Sequence, residues 1–122
     1  MDAEQLRKRL VKQLRAKGAL NREDVVAAFR TVPREVFLPE LDVAEVYQDE
    51  ALVTKRDASG QPISSSSQPS IMAMMLEQLD IQPGHRILEI GAGTGYNAAL
   101  MAELTGDAER VVSVDIDADL VV

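Results

Sequence analysis

The sequence predicts an α/β chain in which a helical N-terminal region precedes the opening of a doubly wound parallel sheet, with the sheet incomplete within the 122 residues. Three observations carry this. Apolar residues recur at helical spacing through the first third of the chain. A short apolar run, Arg86–Ile90, leads directly into Gly91-Ala92-Gly93-Thr94-Gly95, then an alanine-rich helical segment, then a second apolar run, Arg110–Asp115. Strand, glycine turn, helix and strand make a βαβ unit, whose two strands pair in parallel. No further strand of that sheet is recognisable up to Val122.

In chain order, Leu6, Leu10 and Leu14 recur every four residues, with Val11 and Leu20 beside them, and Arg and Lys fill the other faces. This predicts a first helix over 2–17, closed by Gly18 at the position that favours a left-handed residue. Asn21, three residues before Asp24, resembles an N-cap for a second helix carrying Val25, Val26 and Phe29. Pro33 stops that helix, and Pro33 to Pro39 reads as a short helical turn pinned by two prolines. From Glu40 to Ser67 no period persists; a long loop is expected, with a short strand near Ala51–Thr54. A loop of that length in a compact domain is more often functional, though its Ser, Gly and Pro content also suits a flexible linker. Ser67-Gln68-Pro69-Ser70 then opens a helix, Ser67 being able to cap it and Pro69 suiting its first turn. It runs to about Leu79, and its Ile71, Met72, Met75, Leu76 and Leu79 stripe reads as core. The resulting division is 1–39 helical, 40–66 a loop region near the site, and 67–122 the first βαβ part.

Composition excludes several function classes. Thirteen basic against 20 acidic residues give a net charge of −7, which disfavours non-specific nucleic-acid binding through counterion release. The 122 residues contain no apolar run of membrane-spanning length and no N-terminal secretory h-region. Zero Cys and one His (His85) leave no disulfide, no Cys- or His-based metal site and no thiol nucleophile. No membrane partner, no nucleic acid, no metal and a cytoplasmic location are the expectations. Nine of the basic residues fall within 1–38, which carries +4, while the remainder carries −11. A solvated helix face explains the basic arm most simply; contact with an acidic partner is the alternative.

The glycine turn is the most informative segment. Glycines at alternate positions allow a tight strand-to-helix turn and close approach of a ligand, and the helix behind them offers unpaired N–H groups. The dinucleotide fingerprint requires a third glycine at position 96, which is Tyr96. Instead the pattern is Gly-x-Gly-x-Gly with Glu89 two residues before it. That carboxylate repels a pyrophosphate but suits a ligand bearing ammonium or sulfonium charge. S-adenosylmethionine has both and no phosphate. Asp115 closes the next strand, 24 residues after Gly91, where an acid beside the glycine loop can accept ribose hydroxyls. Ile116 next to it suits the adenine ring. The alternatives are a turn whose glycines serve packing alone, and a nicotinamide-binding oxidoreductase, which Tyr96 and Glu89 disfavour.

Val36-Phe37-Leu38-Pro39, Tyr47-Gln48-Asp49, Ser67-Gln68-Pro69, Met75-Leu76, Pro83-Gly84-His85-Arg86-Ile87-Leu88-Glu89-Ile90-Gly91 and Gly95-Tyr96-Asn97-Ala98-Ala99 follow in one order. In this order they resemble the protein-L-isoaspartate O-methyltransferases, from about Thr31 to the end. The resemblance implies a Rossmann-like class I methyltransferase fold. It also implies S-adenosylmethionine as cofactor and esterification of the α-carboxylate of an L-isoaspartyl residue in damaged peptides or proteins. The ester then cyclises to a succinimide that reopens partly to aspartate. Carried over, Ser67 is the catalytic hydroxyl, positioning an acceptor carboxylate that is already ionised at neutral pH. The cofactor set is Glu89, Gly91, Ala92, Gly93, Gly95, Asn97, Asp115 and Ile116. Two departures stand out. Four serines, Ser64 to Ser67, separate Ile63 from Gln68, so Ser64 or Ser66 remains an alternative to Ser67. The position after the proline, often an imidazole or aromatic residue in the family, is Ser70. A full sheet of this type has about seven strands, so the sequence is expected to be the N-terminal portion of a longer protein, its Asp119-Leu120-Val121-Val122 end falling mid-pattern. The C-terminal continuation or a second chain would complete the sheet. Aspartate in a dedicated ribosomally made peptide is the alternative acceptor, and a truncated, non-catalytic interaction module the alternative of another class.

Overall fold

The computed structural model describes residues 1–116, apart from the side chains of Ile63 and Ser64. Ser64 as an alternative hydroxyl, and the expected mid-pattern end at Asp119–Val122, lie outside the described residues. Helix α1 spans Ala3–Ala16 and α2 spans Glu23–Thr31; a 3₁₀ turn, Arg34–Phe37, and the single-turn α3, Val43–Val46, follow. Strands β1 (Leu52–Arg56) and β2 (Pro62–Ser66) precede α4 (Pro69–Leu79). Strand β3 (Ile87–Ile90), α5 (Tyr96–Thr105), a 3₁₀ turn (Ala108–Arg110) and β4 (Val111–Val114) complete the described part.

The α1 stripe behaves as its spacing predicts. Leu6, Leu10, Val11 and Leu14 are buried, and Asp2 and Gln5 form a reciprocal capping box at its start. Leu14, Leu20, Val25, Val26 and Phe29 join Met72, Ala73 and Leu100 in one core, so α1 and α2 are cemented to α4 and α5. Each fully buried Leu or Phe there contributes about 1.5–3 kcal/mol relative to exposure. Gly18 ends α1 with φ +77° as expected.

Two cap assignments are corrected. Asn21 does not cap α2: the cap residue is Arg22, without a side-chain cap bond. The backbone N–H groups of Asn21 and Arg22 donate instead to the Glu77 carboxylate of α4, both at 2.7 Å. Nor does Ser67 cap α4, which starts from Gln68 with Pro69 at its first position. There the Asp49 carboxylate accepts from the Ser70 N–H at 2.8 Å while Lys17 holds its other oxygen at 2.7 Å. At α4 a distant carboxylate takes an orphan first-turn donor, and at α2 one holds the two residues that lead into the helix.

The expected long loop over 40–66 is mostly structure. β1 and β2 form an antiparallel hairpin with irregular register, Leu52 opposite Ser66 and Arg56 opposite Pro62. The Asp57 carboxylate closes its turn by accepting from the Ser59 and Gln61 N–H groups. Alternation was hidden because serines occupy the strand positions that would otherwise be apolar.

β3 and β4 pair in parallel, Ile87 with Val111 through Ile90 with Val114, as the βαβ pattern predicts. Among the described residues these two strands have no other sheet neighbour. No helix among the described residues is long and apolar enough to cross a membrane.

Candidate methyl-donor cleft

The βαβ turn is built on hydrogen bonds that its backbone makes to β4. The Gly91 and Ala92 N–H groups both donate to the Val114 carbonyl, at 2.7 and 3.0 Å, which folds the loop back over the strand ends. Gly91 and Gly93 hold φ of +95° and +57°, and a Cβ at either would meet nothing within 4 Å. Glycine is therefore required by the backbone turn, and the space above the loop stays open. At Gly95, φ +92°, a Cβ would touch the Phe37 ring at 3.6 Å, so the 3₁₀ turn packs directly under the loop's last residue.

Glu89 and Asp115 sit on opposite sides of this turn. Strand register sets Glu89 against Ser113, whose hydroxyl donates to Glu89 Oε1 at 2.6 Å, while Asn97 Nδ2 donates to Oε2 at 2.8 Å. Both carboxylate oxygens are thus oriented by neutral donors. Asp115 Oδ2 accepts from the Gly93 N–H at 3.1 Å, tying the strand end to the loop that the sequence places beside it. Ile116 is fully exposed.

A cleft of about 600 Å³ opens over the loop, within the range of roughly 300–1,000 Å³ usual for small-molecule sites. Glu89, Gly91, Ala92, Gly93 and Asn97 form one wall and Ser65, Ser66 and Ser67 another. The structure therefore brings Ser67 and the glycine-loop residues Glu89 to Gly93 and Asn97 to one cavity. Asp115 reaches the loop through Gly93, whereas Gly95 faces Phe37 and Ile116 stands in solvent.

The α4 stripe expected to be core is only partly so. Met72, Ala73 and Leu76 are buried, but Ile71, Met74, Met75 and Leu79 are exposed, Met75 by 62%. The helix packs on the body through the first set, and Met75 and Leu79 form an apolar wall of the cleft. Their periodicity could not separate the two roles, because neighbouring helix faces share it.

Two functional candidates, Arg34 and the ring of Tyr96 beside it, were not legible. Arg34, the first residue of the 3₁₀ turn, is completely buried and reaches α3 and the serine strand. Its Nη1 donates to the Val46 carbonyl at 3.0 Å, and Nη2 to Ser66 Oγ at 3.3 Å and the Ser67 carbonyl at 3.1 Å. Its guanidinium lies 5.5 Å from the centre of the Tyr96 ring. Burial lowers its pKa, partly offset by Tyr96, Tyr47 and Asp49. Burial also raises the Tyr96 phenol above its ordinary value, against the pull of Arg34. The available signal was a lone Arg in an apolar turn between prolines.

A sequence model of the protein-L-isoaspartate(D-aspartate) O-methyltransferase (PCMT) family matches residues 4–122. The chain belongs to this family. It is 45% identical over 94 residues to the protein-L-isoaspartate O-methyltransferase of Thermotoga maritima, covering 76% of this chain and 29% of that one. It is 40% identical over 109 residues to the Methanothermobacter thermautotrophicus enzyme, covering 89% and 48%, and 42% identical over 114 residues to that of Methanosarcina mazei, covering 93% and 44%. A solved protein-L-isoaspartate O-methyltransferase superposes with TM-score 0.78 at 40% identity, over 93% of this chain and 35% of the other. A β-aspartate methyltransferase structure from Plasmodium falciparum, in complex with S-adenosyl-L-homocysteine, superposes with TM-score 0.76 at 24% identity, which speaks for the fold. The chain spans less than half the length of these curated PCMT relatives. The α/β fold expected from the βαβ pattern is that of the family.

Proposed function

We propose that the chain forms the methyl-donor side of an S-adenosylmethionine-dependent protein carboxyl O-methyltransferase acting in the cytoplasm on L-isoaspartyl residues of damaged peptides and proteins. The observation that carries this is the Glu89 carboxylate, fixed through both oxygens at the foot of the glycine loop. A fixed anion there discriminates against phosphate and favours a cationic ligand. The fit extends along the loop: open space above Gly91 and Gly93 admits a ligand against the backbone, and Asp115 is held at the loop by Gly93. Gly91, Ala92, Gly93, Gly95, Asn97, Asp115 and Ile116 would hold the cofactor with Glu89, Asn97 doing so by orienting that carboxylate. When bound, S-adenosylmethionine supplies a methyl group on a sulfonium centre.

What the chain's own residues do follows from their places. Met75 and Leu79 give one side of the cleft an apolar wall that a bound ligand would cover, which would strengthen charge interactions inside it. Ser67, at the mouth, offers a hydroxyl to orient an acceptor carboxylate. No general base is needed, because that carboxylate is ionised at neutral pH. Family membership and identities of 40–45% to named protein-L-isoaspartate O-methyltransferases support the same reading. No observation favours the interaction-module alternative: Arg7 of the basic arm is engaged internally, with Glu35 at 2.9 Å and the Tyr47 hydroxyl at 3.0 Å.

The test is calorimetric titration of S-adenosylhomocysteine into this chain and into its Glu89→Ala, Asp115→Ala double variant. Binding by the parent that disappears in the folded variant is expected. Equal binding by both, or none by a folded parent, overturns the methyl-donor assignment. Labelled methyl transfer to an isoaspartyl peptide but not to its aspartyl isomer then tests the acceptor.

A further inference from the structure

We propose that Arg34 is a positioning residue that sets the serine wall of the cleft against the cofactor wall, and that it singles out Ser67 as the hydroxyl presented to the acceptor. This rests on the methyltransferase reading of the same cleft. One side chain reaches both walls. On the serine side its Nη2 donates to Ser66 Oγ at 3.3 Å and to the Ser67 carbonyl at 3.1 Å. On the other, its guanidinium stacks 5.5 Å from the Tyr96 ring centre, at the residue that begins α5 directly after the glycine loop. Nη1 anchors the group to the body through the Val46 carbonyl. No backbone hydrogen bond joins β2 to β3 or β4, which lie in separate sheets.

The two serines are treated differently. Ser66 is buried, with its hydroxyl turned to Arg34, whereas Ser67 is exposed and gives Arg34 only its carbonyl. Fixing a peptide carbonyl fixes the direction in which that residue's side chain leaves the backbone. Ser66 is thereby committed to the wall and Ser67 to the mouth of the cleft. The planar fork of a guanidinium fixes the directions of its donors together; in Arg34 both Nη atoms are bonded, while the buried Nε has no partner among the described residues. A lysine would keep the charge but lose both the fork and the stack.

Native-state hydrogen exchange on Arg34→Lys, with global stability measured alongside, separates this role from a general structural one. The expected result is about tenfold faster exchange at amides 65–70 and 93–97 together, beyond any change in α1 and α2. A uniform rise throughout the chain, no rise, or a rise in one wall alone overturns the proposal. Should Arg34→Lys not fold, Ser66→Ala serves: it removes one bond on the serine wall and should still quicken exchange at 93–97, which it does not touch. Confinement of its effect to 65–70 would refute the linkage. Titration of S-adenosylhomocysteine into the same samples keeps the two readings apart. A parent chain that binds none counts against the methyl-donor assignment, while the exchange pattern decides the link between walls.

Discussion

The helical N-terminal region and the βαβ unit treat their apolar residues in opposite ways. In α1 and α2 the stripe is enclosed: Leu14 and Val26 have no exposed surface. On β3 and β4 burial alternates, Ile87 and Val111 packing partly buried against the core while Leu88, Ile90 and Val112 are 64%, 84% and 56% exposed. The first region is stabilised by side chains it shares with α4 and α5. The second takes its order from register, the Val114 carbonyl and the carboxylate ties, and one face of its strands is uncovered by any described residue. The difference shows that the strands and glycine loop of the candidate site add less to the core than the helices around them do. The loop can be pre-set by hydrogen bonds while its sheet contributes little packing on one side.

The heaviest blow to this contrast falls on the enclosed side. Leu14→Ala should lower unfolding free energy by about 2–5 kcal/mol, measured by denaturant titration; a loss below about 1 kcal/mol would move the seat of stability elsewhere. Next comes the seam between the regions. Glu77→Ala removes the acceptor of the Asn21 and Arg22 amides that lead into α2 and should cost about 1–2 kcal/mol, with faster amide exchange confined to that entry. Unchanged exchange there would show that solvent replaces the carboxylate without loss.

Acid should open the same seam. Burial opposes ionisation of Glu77 and Asp49, but backbone N–H donors, with Lys17 at Asp49, outweigh it and hold both below their ordinary values of 4.5 and 3.8. A depressed folded pKa contributes stability that is complete above the ordinary value and is lost as pH falls through the depressed one. Unfolding free energy should therefore be flat from neutrality down to roughly pH 5 and decline below it, less steeply in Glu77→Gln. Identical slopes for variant and parent would remove Glu77 from the account. The smallest effect belongs to the open face. Ile90→Thr should change stability by no more than about 0.5 kcal/mol while reducing concentration-dependent self-association in light scattering. A large destabilisation would mean that this face is covered after all.

Periodicity recovered what depends on it. The α1 stripe, the Gly18 terminus, the turn between Pro33 and Pro39 and the βαβ order all follow from spacing or from backbone chemistry local to a few residues. The placement of Glu89, the glycines and Asp115 around one turn was readable for the same reason, since strand, turn and strand fix their separation. The losses share a cause in distance along the chain. Serines in β2 carry no apolar alternation, so the hairpin depends on pairing with β1. Asn21 and Ser67 have the right chemistry for caps, yet Glu77 binds the Asn21 and Arg22 amides that lead into α2, and Asp49 takes the Ser70 amide of α4. Met75 and Met72 lie on one helix at core-like spacing and differ only in what stands opposite. Arg34 gains its place from four segments meeting around it, which no single window of sequence contains.

The carboxylate that starts α2 also carries a timetable. Glu77 lies 55 residues after Arg22, whereas Asp49 lies 21 residues before Ser70. On a chain made from its N-terminus, α4 finds its acceptor already waiting, but α2 does not. At about 5–20 residues per second, its Asn21–Arg22 entry emerges roughly 3–11 s ahead of the carboxylate that holds it. Nascent α2 is therefore frayed at its start, and its completion marks the arrival of α4.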